Sequence, residues 1–330
     1  MKNPYIIAEI ASAHEGNPDV AISIARSAIK AGADAVKFQI FNRNQLLTKN
    51  NPYFNEFGEI EIKSDQWKDI IKEVYNQKID IIVEPYDVDS LNIAIQTGSV
   101  KSYKLPTACI GDTELIEKIK ETKKSVYIGV GGAKWNEIEH VVCEFKRTKV
   151  TLLCGFQNFP TKLEDSKLFQ ILKLKTAFEC AVGYADHVDA EDKRMAQLLP
   201  ALAFVAGATV IEKHITDDRS RKGRDYYSAL NPDEFKSFVC LMRHLPDIIG
   251  VENEWCLSEA ELQYRKFTKR YAVAARDIAI GKELDLKDIV FKRTNDEGLS
   301  AQDISEYAGR EIVRSKKTDD PLTREDFIES

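Results

Sequence analysis

The 330-residue sequence has no surplus of basic charge: 47 Lys and Arg stand against 53 Asp and Glu, a formal net charge of −6. Neutralising a nucleic-acid backbone or an anionic membrane surface requires such a surplus, so neither is an expected general partner. A local basic pocket for a small phosphorylated ligand stays open. No two of the six cysteines (Cys109, Cys143, Cys154, Cys180, Cys240 and Cys256) form a C-x-x-C pair, which excludes a zinc ribbon or a thioredoxin motif. They are also too sparse for a disulfide framework. No run is long and apolar enough for a membrane helix: the longest, residues 198–211, contains Pro200 and Gly207 and falls short of the roughly 20 residues required. The opening MKNPYIIAEI lacks the apolar core of a signal peptide. Internal repeats and low-complexity tracts are absent as well. These absences predict a reduced, cytoplasmic protein.

What is present is an alternation of two periods. Short β-branched runs recur at residues 5–10, 35–39, 79–84, 102–105, 126–130, 150–154, 181–184 and 209–212. Amphipathic stretches of helical length separate them, at 20–31, 66–77, 90–96, 114–121, 136–146, 165–174 and 193–206, with another at 232–245. Alternating β and α elements imply a parallel sheet with right-handed crossovers. Eight such units over about 250 residues predict an α/β fold, a (β/α)8 barrel of the TIM type, in preference to a doubly wound sheet. No G-x-G-x-x-G follows the first run, which weakens a nucleotide-binding reading. Beyond Pro246 the pattern changes. A polar connection is expected over 251–267, and short strands with tight turns over 268–330 predict a small β-rich domain. About 60 residues bury little apolar surface, so this domain is expected to dock on the barrel or on a partner.

In a barrel of this kind the carboxyl ends of the strands build the active site. The polar residues there are Glu9 and His14 at the first strand, Lys37 and Gln39 at the second, Glu84 and Asp87 at the third, and Lys104 and Thr107 at the fourth. The loop Gly129-Val130-Gly131-Gly132 follows at the fifth strand, Gln157 and Asn158 at the sixth, Asp186-His187 at the seventh and Glu212-Lys213-His214 at the eighth. A lysine in an apolar strand is costly to bury unpaired. Lys37 and Lys104 are therefore either partners of Glu9, Glu84 and Glu212 in a structural network or point charges set for a carboxylate or phosphate. The glycine loop is compatible with phosphate binding and equally with a tight turn. His187 and His214 end neighbouring strands, which can place two imidazoles on one divalent metal with open positions for substrate and water. Mn2+ or Mg2+ suits such a set, with Asp186 and Glu212 as candidate orienters. His140 and His244 fall within helices and read as surface or packing residues.

At these residues the sequence resembles the sialic acid synthase (N-acetylneuraminate and nonulosonic acid synthase) family. The matching segments are AEIASAHEG from Ala8, AGADAVKFQ from Ala31, YKLP from Tyr103, FPTKLED from Phe159, VGYADH from Val182, GATVIEKHIT from Gly207 and SALNPDEF from Ser228. Past the barrel, YAVAARDIAIGKEL from Tyr271 and VFKR ending at Arg293 resemble the family's C-terminal antifreeze-like (SAF) domain. The resemblance implies a metal-dependent condensation of phosphoenolpyruvate with an open-chain N-acyl amino sugar, giving a sialic-acid-like nonulosonic acid and phosphate. It implies His187 and His214 as ligands of Mn2+ (or Mg2+), Lys37 and Lys104 as holders of phosphoenolpyruvate, and Glu9 as a catalytic carboxylate. Thr107, Gln157 and Asp225 are implied as substrate-binding residues. Arg293 is implied to reach the partner's acceptor site in a homodimer with a swapped C-terminal domain; read without the resemblance, Arg293 is part of a solvated turn.

The chain departs from the family pattern at several of these places. Ala13 stands for an Asn, Thr107 for a Ser, Cys109 for a Glu, Gly129 for a Ser, Gln157 for an Asn and Phe159 for a Tyr. Glu84-Pro85-Tyr86 stands where the family has Ser/Thr-Pro-Phe. These departures point to a divergent relative with another acceptor. The alternatives are a synthase using a different aldose, a non-catalytic sugar- or phosphate-binding relative, and a metal hydrolase on the same barrel. The hydrolase is disfavoured because Ser12-Ala13-His14 lacks the first His of a His-x-His.

Overall fold

The computed structural model describes residues 2–158, 160–250 and 255–327. Its elements run β1 (Tyr5–Glu9), α1 (Pro18–Ala31), β2 (Ala35–Ile40), α2 (Arg43–Leu46), α3 (Phe54–Ile60), α4 (Ser64–Tyr75), β3 (Asp80–Pro85), α5 (Val88–Thr97), β4 (Ser102–Leu105), α6 (Thr113–Glu121), β5 (Val126–Gly129), α7 (Trp135–Glu144), β6 (Val150–Cys154), α8 (Phe169–Ala177), β7 (Ala181–Asp186), α9 (Met195–Val205), β8 (Val210–His214), α10 (Pro232–Ile249), α11 (Glu259–Thr268), β9 (Arg270–Ala274) and β10 (Ile289–Arg293). Strands β1 to β8 pair in parallel in sequence order and β8 closes on β1. The expected eight-stranded barrel is thereby found, with each strand within a residue or two of its expected place.

Period-two alternation decides what each side of the barrel wall is made of. Ile6, Ala8, Val36, Phe38, Ile81, Val83, Tyr103, Leu105 and Ile211 face outward into one large apolar cluster shared with the helices. The alternate positions Ile7, Ala35, Ile82, Leu153 and Val210 form a second, smaller cluster. Two residues further along the same strands, on that same inner face, stand Glu9, Lys37, Glu84 and Glu212. An apolar plug thus fills the barrel's lower interior, and a charged layer lies above it.

The chain divides into two compact units between residues 251 and 252. The second has an antiparallel pair, β9 with β10, and isolated bridges such as Glu283 to Glu311 and Ile312 to Phe327. It closes its own core of Ala272, Ala274, Ile278, Leu284, Leu299, Ile304, Ile312, Leu322 and Phe327. That is more core than its length led us to expect. Buried Asp288 ties this unit's turns together through Arg276 and Lys282.

Three helices depart from the sequence reading. Helices α2 and α3 occupy the long β2–α4 connection, and α11 fills much of the connection expected over 251–267 as merely polar; residues 251–254 of that stretch lie outside the described residues. Helix α11 buries none of its residues. It is held by a capping box in which the Ser258 side chain accepts from the Glu261 N–H and Glu261 accepts back from the Ser258 N–H.

Two glycines set the geometry of the barrel mouth. Gly155 has φ of 135°, and a side chain there would collide with the Ala185 carbonyl; one at Gly131 would collide with the Gly155 carbonyl. Gly155→Ala is expected to lower the melting temperature by roughly 2–10 °C, from a strain of about 1–3 kcal/mol. Differential scanning calorimetry measures it, and an unchanged transition would refute the constraint.

Candidate active site

Above the apolar plug, five charged side chains meet. Lys37 Nζ contacts a Glu9 carboxylate oxygen, lies 2.5 Å from Glu84 Oε2 and 3.0 Å from Glu212 Oε1. Lys104 Nζ lies 2.7 Å from Glu212 Oε1 and 3.4 Å from Glu84 Oε2. Both readings of the lysines were open from sequence, and the structure separates the two residues. Lys37 is wholly buried and does not line the cavity above; Lys104 keeps about a tenth of its side chain exposed and does. Burial pulls the Lys37 ammonium down to about 8 against the opposing pull of Glu212 and Glu84. Burial acts on Lys104 in the same sense, but Glu212 and Glu84 outweigh it and raise its pKa. Glu212 would be raised by burial, and the two lysines instead hold it below the ordinary carboxylate range.

The cavity above this layer has a volume of about 240 Å3 and opens among the carboxyl ends of the strands. It is lined by Glu9, Gln39, Glu84, Tyr86, Lys104, Thr107, Gly129, Gly131, Gln157, His187, Glu212 and His214, among others. Backbone anchors hold its walls. Glu9 Oε1 accepts from the Ala11 N–H at 2.7 Å. The His187 carbonyl accepts from Ser228 Oγ at 2.8 Å, and the His214 carbonyl from the Leu230 N–H at 3.0 Å.

His187 and His214 face each other with ring centroids 5.1 Å apart. Burial pushes His187 down to about 3, and burial and His187 depress His214, so both rings are neutral at neutral pH. Their Nδ1 atoms are buried without a hydrogen-bond partner. Neither candidate orienter serves them: Asp186 receives Lys213 Nζ at 2.6 Å in a fully buried pair, and Glu212 receives the lysines. The orienting role expected of these two carboxylates is therefore corrected, because each stands beside a buried lysine that needs it more. Two neutral imidazoles with unsatisfied ring nitrogens fit a divalent cation. Among the described residues no third His, Cys, Asp or Glu completes a ligand group with them, so such a cation would keep positions open for small ligands.

The other expected site residues divide. Thr107 and Gln157 line the cavity. Thr107 Oγ1 would sit 3.0 Å from a Cβ at position 129, so its hydroxyl occupies the space that a side chain on Gly129 would need. Asp225 does not line the cavity; it accepts from the Ser12 N–H at 2.9 Å and joins the β8 loop to the β1 loop. Burial raises its pKa. His14 is buried against the edge of Trp67, with Nδ1 accepting from the Gly16 N–H at 3.0 Å, and lines a different cavity. Arg293 is exposed at the end of β10, opposite Arg270. Phe159 lies outside the described residues. Tyr86, noted in the sequence only as a departure from the family pattern, stands at the cavity wall, where burial keeps it protonated, and Lys213 of the strand-end set is buried against Asp186.

A comparison with protein-family models matches residues 24–254 to the NeuB family and 269–328 to the SAF domain. The chain belongs to the NeuB family. Among curated NeuB relatives, the N,N'-diacetyllegionaminic acid synthase of Campylobacter jejuni is 28% identical, the alignment covering 98% of this chain and all of the relative. The pseudaminic acid synthase of the same species is 27% identical over 99% and 97%. An uncharacterised protein of Methanocaldococcus jannaschii is 30% identical over 98% and 94%. A solved N-acetylneuraminic acid synthetase from Leptospira borgpetersenii, crystallised with citrate, superposes with a TM-score of 0.74 at 27% identity, covering 81% of this chain and 93% of that one. The two matches take in the motifs that carried the resemblance from AGADAVKFQ onward, the barrel motifs falling in the NeuB match and the C-terminal ones in the SAF match.

The charged layer generates a stability prediction. Lys37→Met leaves Glu9 without its lysine inside the barrel and is expected to destabilise the barrel by about 3–5 kcal/mol. Lys104→Met is expected to cost less, because Glu84 and Glu212 both keep Lys37. Urea denaturation of the two variants checks the order, and equal losses would contradict it.

Proposed function

We propose that this NeuB-family chain condenses phosphoenolpyruvate with an open-chain N-acyl amino sugar, releasing phosphate and a nonulosonic acid. The observation that carries the reading is the convergence of Glu9, Lys104, Thr107, His187 and His214 on one cavity at the strand ends. The synthase names of the relatives support the same reaction class.

His187 and His214 would hold the divalent cation, Mn2+ or Mg2+; when bound, it supplies Lewis-acid polarisation of the acceptor aldehyde. The rest of the work falls to the chain. Lys104, the Thr107 hydroxyl and the bare backbone at Gly129 and Gly131 receive the donor's anionic groups. Lys37 acts from beneath, fixing Glu9, Glu84 and Glu212 in place. Donor C3 forms the new carbon–carbon bond with the aldehyde carbon. Water adds at donor C2 and gives one proton to Glu9, which passes it to the former aldehyde oxygen. The C–O bond to phosphate then breaks, the C2 hydroxyl proton leaving with the phosphate, so donor, aldehyde and one water become sugar acid and phosphate. Gln157 and Gln39 offer amides to acceptor hydroxyls. The SAF unit's Arg293 completes the site in trans, its planar donor fork engaging acceptor oxygens in a homodimer.

Incubation with phosphoenolpyruvate, Mn2+ and a panel of N-acyl amino sugars should yield phosphate and a new acid whose mass equals donor plus acceptor plus water minus phosphoric acid. Absence of turnover with every acceptor, together with absence of phosphoenolpyruvate binding, overturns the reading. His187→Ala and His214→Ala should each lower Mn2+ bound at equilibrium dialysis by at least about tenfold; retention of full binding by both removes the histidines from the metal site. Mixing inactive Arg293→Ala with inactive His187→Ala subunits should restore part of the activity. No recovery after verified subunit exchange rules out the composite site.

A further inference from the structure

The charged layer is unbalanced. Glu9, Glu84 and Glu212 carry three formal negative charges, and Lys37 and Lys104 carry two positive ones. The three carboxylates are not equally committed. Glu9 Oε1 is bonded to the Ala11 N–H and its other oxygen meets Lys37. Glu212 Oε1 is held by both lysines, at 3.0 and 2.7 Å. Glu212 Oε2 is buried without a hydrogen-bond partner, and Glu84 likewise takes its partners on a single oxygen. Its Oε2 takes Lys37 at 2.5 Å, Lys104 at 3.4 Å and Gln39 Nε2 at 3.4 Å, and no hydrogen bond falls on its Oε1 among the described residues. Glu84 also lines the cavity, beside Lys104.

We propose that Glu84 is a positioning residue that acts as a built-in counter-anion, occupying the Lys104 ammonium until an anionic donor arrives and weakening the hold on that donor. The inference rests on the proposed donor site and deepens it. Lys104 is the one lysine of the layer that lines the cavity, so its positive charge is what an incoming phosphate or carboxylate meets. In the free protein that charge is already covered by two carboxylates, one of them firmly at 2.7 Å and the other loosely at 3.4 Å. An anion that binds Lys104 must also bear the repulsion of a carboxylate a few ångströms away in a buried setting, where screening by water is weak. Removing the Glu84 charge leaves two carboxylates for two ammonium groups. Lys37 keeps Glu9 and Glu212, and Lys104 keeps Glu212, so no buried ammonium is orphaned.

This predicts a gain of affinity on removing a charge, which structural damage would not produce. In titration calorimetry on the full-length chain, Glu84→Gln should bind inorganic phosphate and phosphoenolpyruvate roughly three- to thirtyfold more tightly than the parent, as expected for one like charge withdrawn at short range and partial screening. Adding Lys104→Met to Glu84→Gln should abolish the gain. Glu84→Ser serves as a second variant and should show the same direction if the Gln variant does not fold. Unchanged or weaker binding in a folded Glu84 variant overturns the proposal while leaving the donor site standing. Absence of binding to the parent protein removes the donor site and the proposal together.

Discussion

A lysine ammonium enclosed by three carboxylates is the condition on which both the barrel and its mouth depend. An unpaired ion inside an apolar barrel would cost several kcal/mol even after relaxation. Lys37, on β2, avoids that only because β1, β3 and β8 deliver Glu9, Glu84 and Glu212 to one point. The delivery is a matter of register. Glu9 stands opposite Lys37 on one side and His214 on the other, and Gln39 stands opposite Glu84. A slip of one residue in any of these strands would turn a charge outward against the helices. The closed parallel barrel and the charged layer therefore specify each other.

The same alternation made much of the fold legible. Runs such as AVKFQ and VIEKH put a polar side chain at alternate, inward positions of an otherwise apolar strand, Lys37 and Gln39 in the first and Glu212 and His214 in the second. The strand ends were found because the barrel confines polar inward positions to one rim. What the sequence could not distinguish was depth. Lys37 and Lys104 look alike as letters, yet one is sealed beneath the cavity and the other opens into it. Nor could it assign partners where carboxylates and lysines crowd. Asp186 precedes His187 and reads as its orienter, but Lys213 on the neighbouring strand claims it.

Other misses have different causes. Helix α11 had a local signature in the sequence, Ser258-x-x-Glu261, that a search for apolar periodicity passes over because the helix has no buried face. Helix α10 runs three residues beyond Pro246, where sequence reading ends it, because a proline in the last turn removes only one backbone donor. Asp225 is a different case from these misses: it accepts from the Ser12 N–H in a turn with φ of 61° and holds two rim loops together, a bracing role that its place in the sequence did not reveal. A loop-bracing carboxylate and a ligand-binding one are indistinguishable until the loop's own N–H groups have been accounted for.

The contact between Gly131 and Gly155 carries a consequence for how the chain can diversify. Each glycine stands where the other loop's backbone, or the next strand's, leaves no room for a Cβ. That stretch of the rim is main chain only, and drift in sequence cannot decorate it without first moving β5, β6 or β7. Variation in what the cavity accepts is therefore channelled to the side chains that ring it: Tyr86 and Thr107 on one flank, Phe156 and Gln157 on the other. Of these, Tyr86, Phe156 and Gln157 are the handles by which a library could redirect acceptor choice, Thr107 serving the donor, while leaving the barrel's closure untouched.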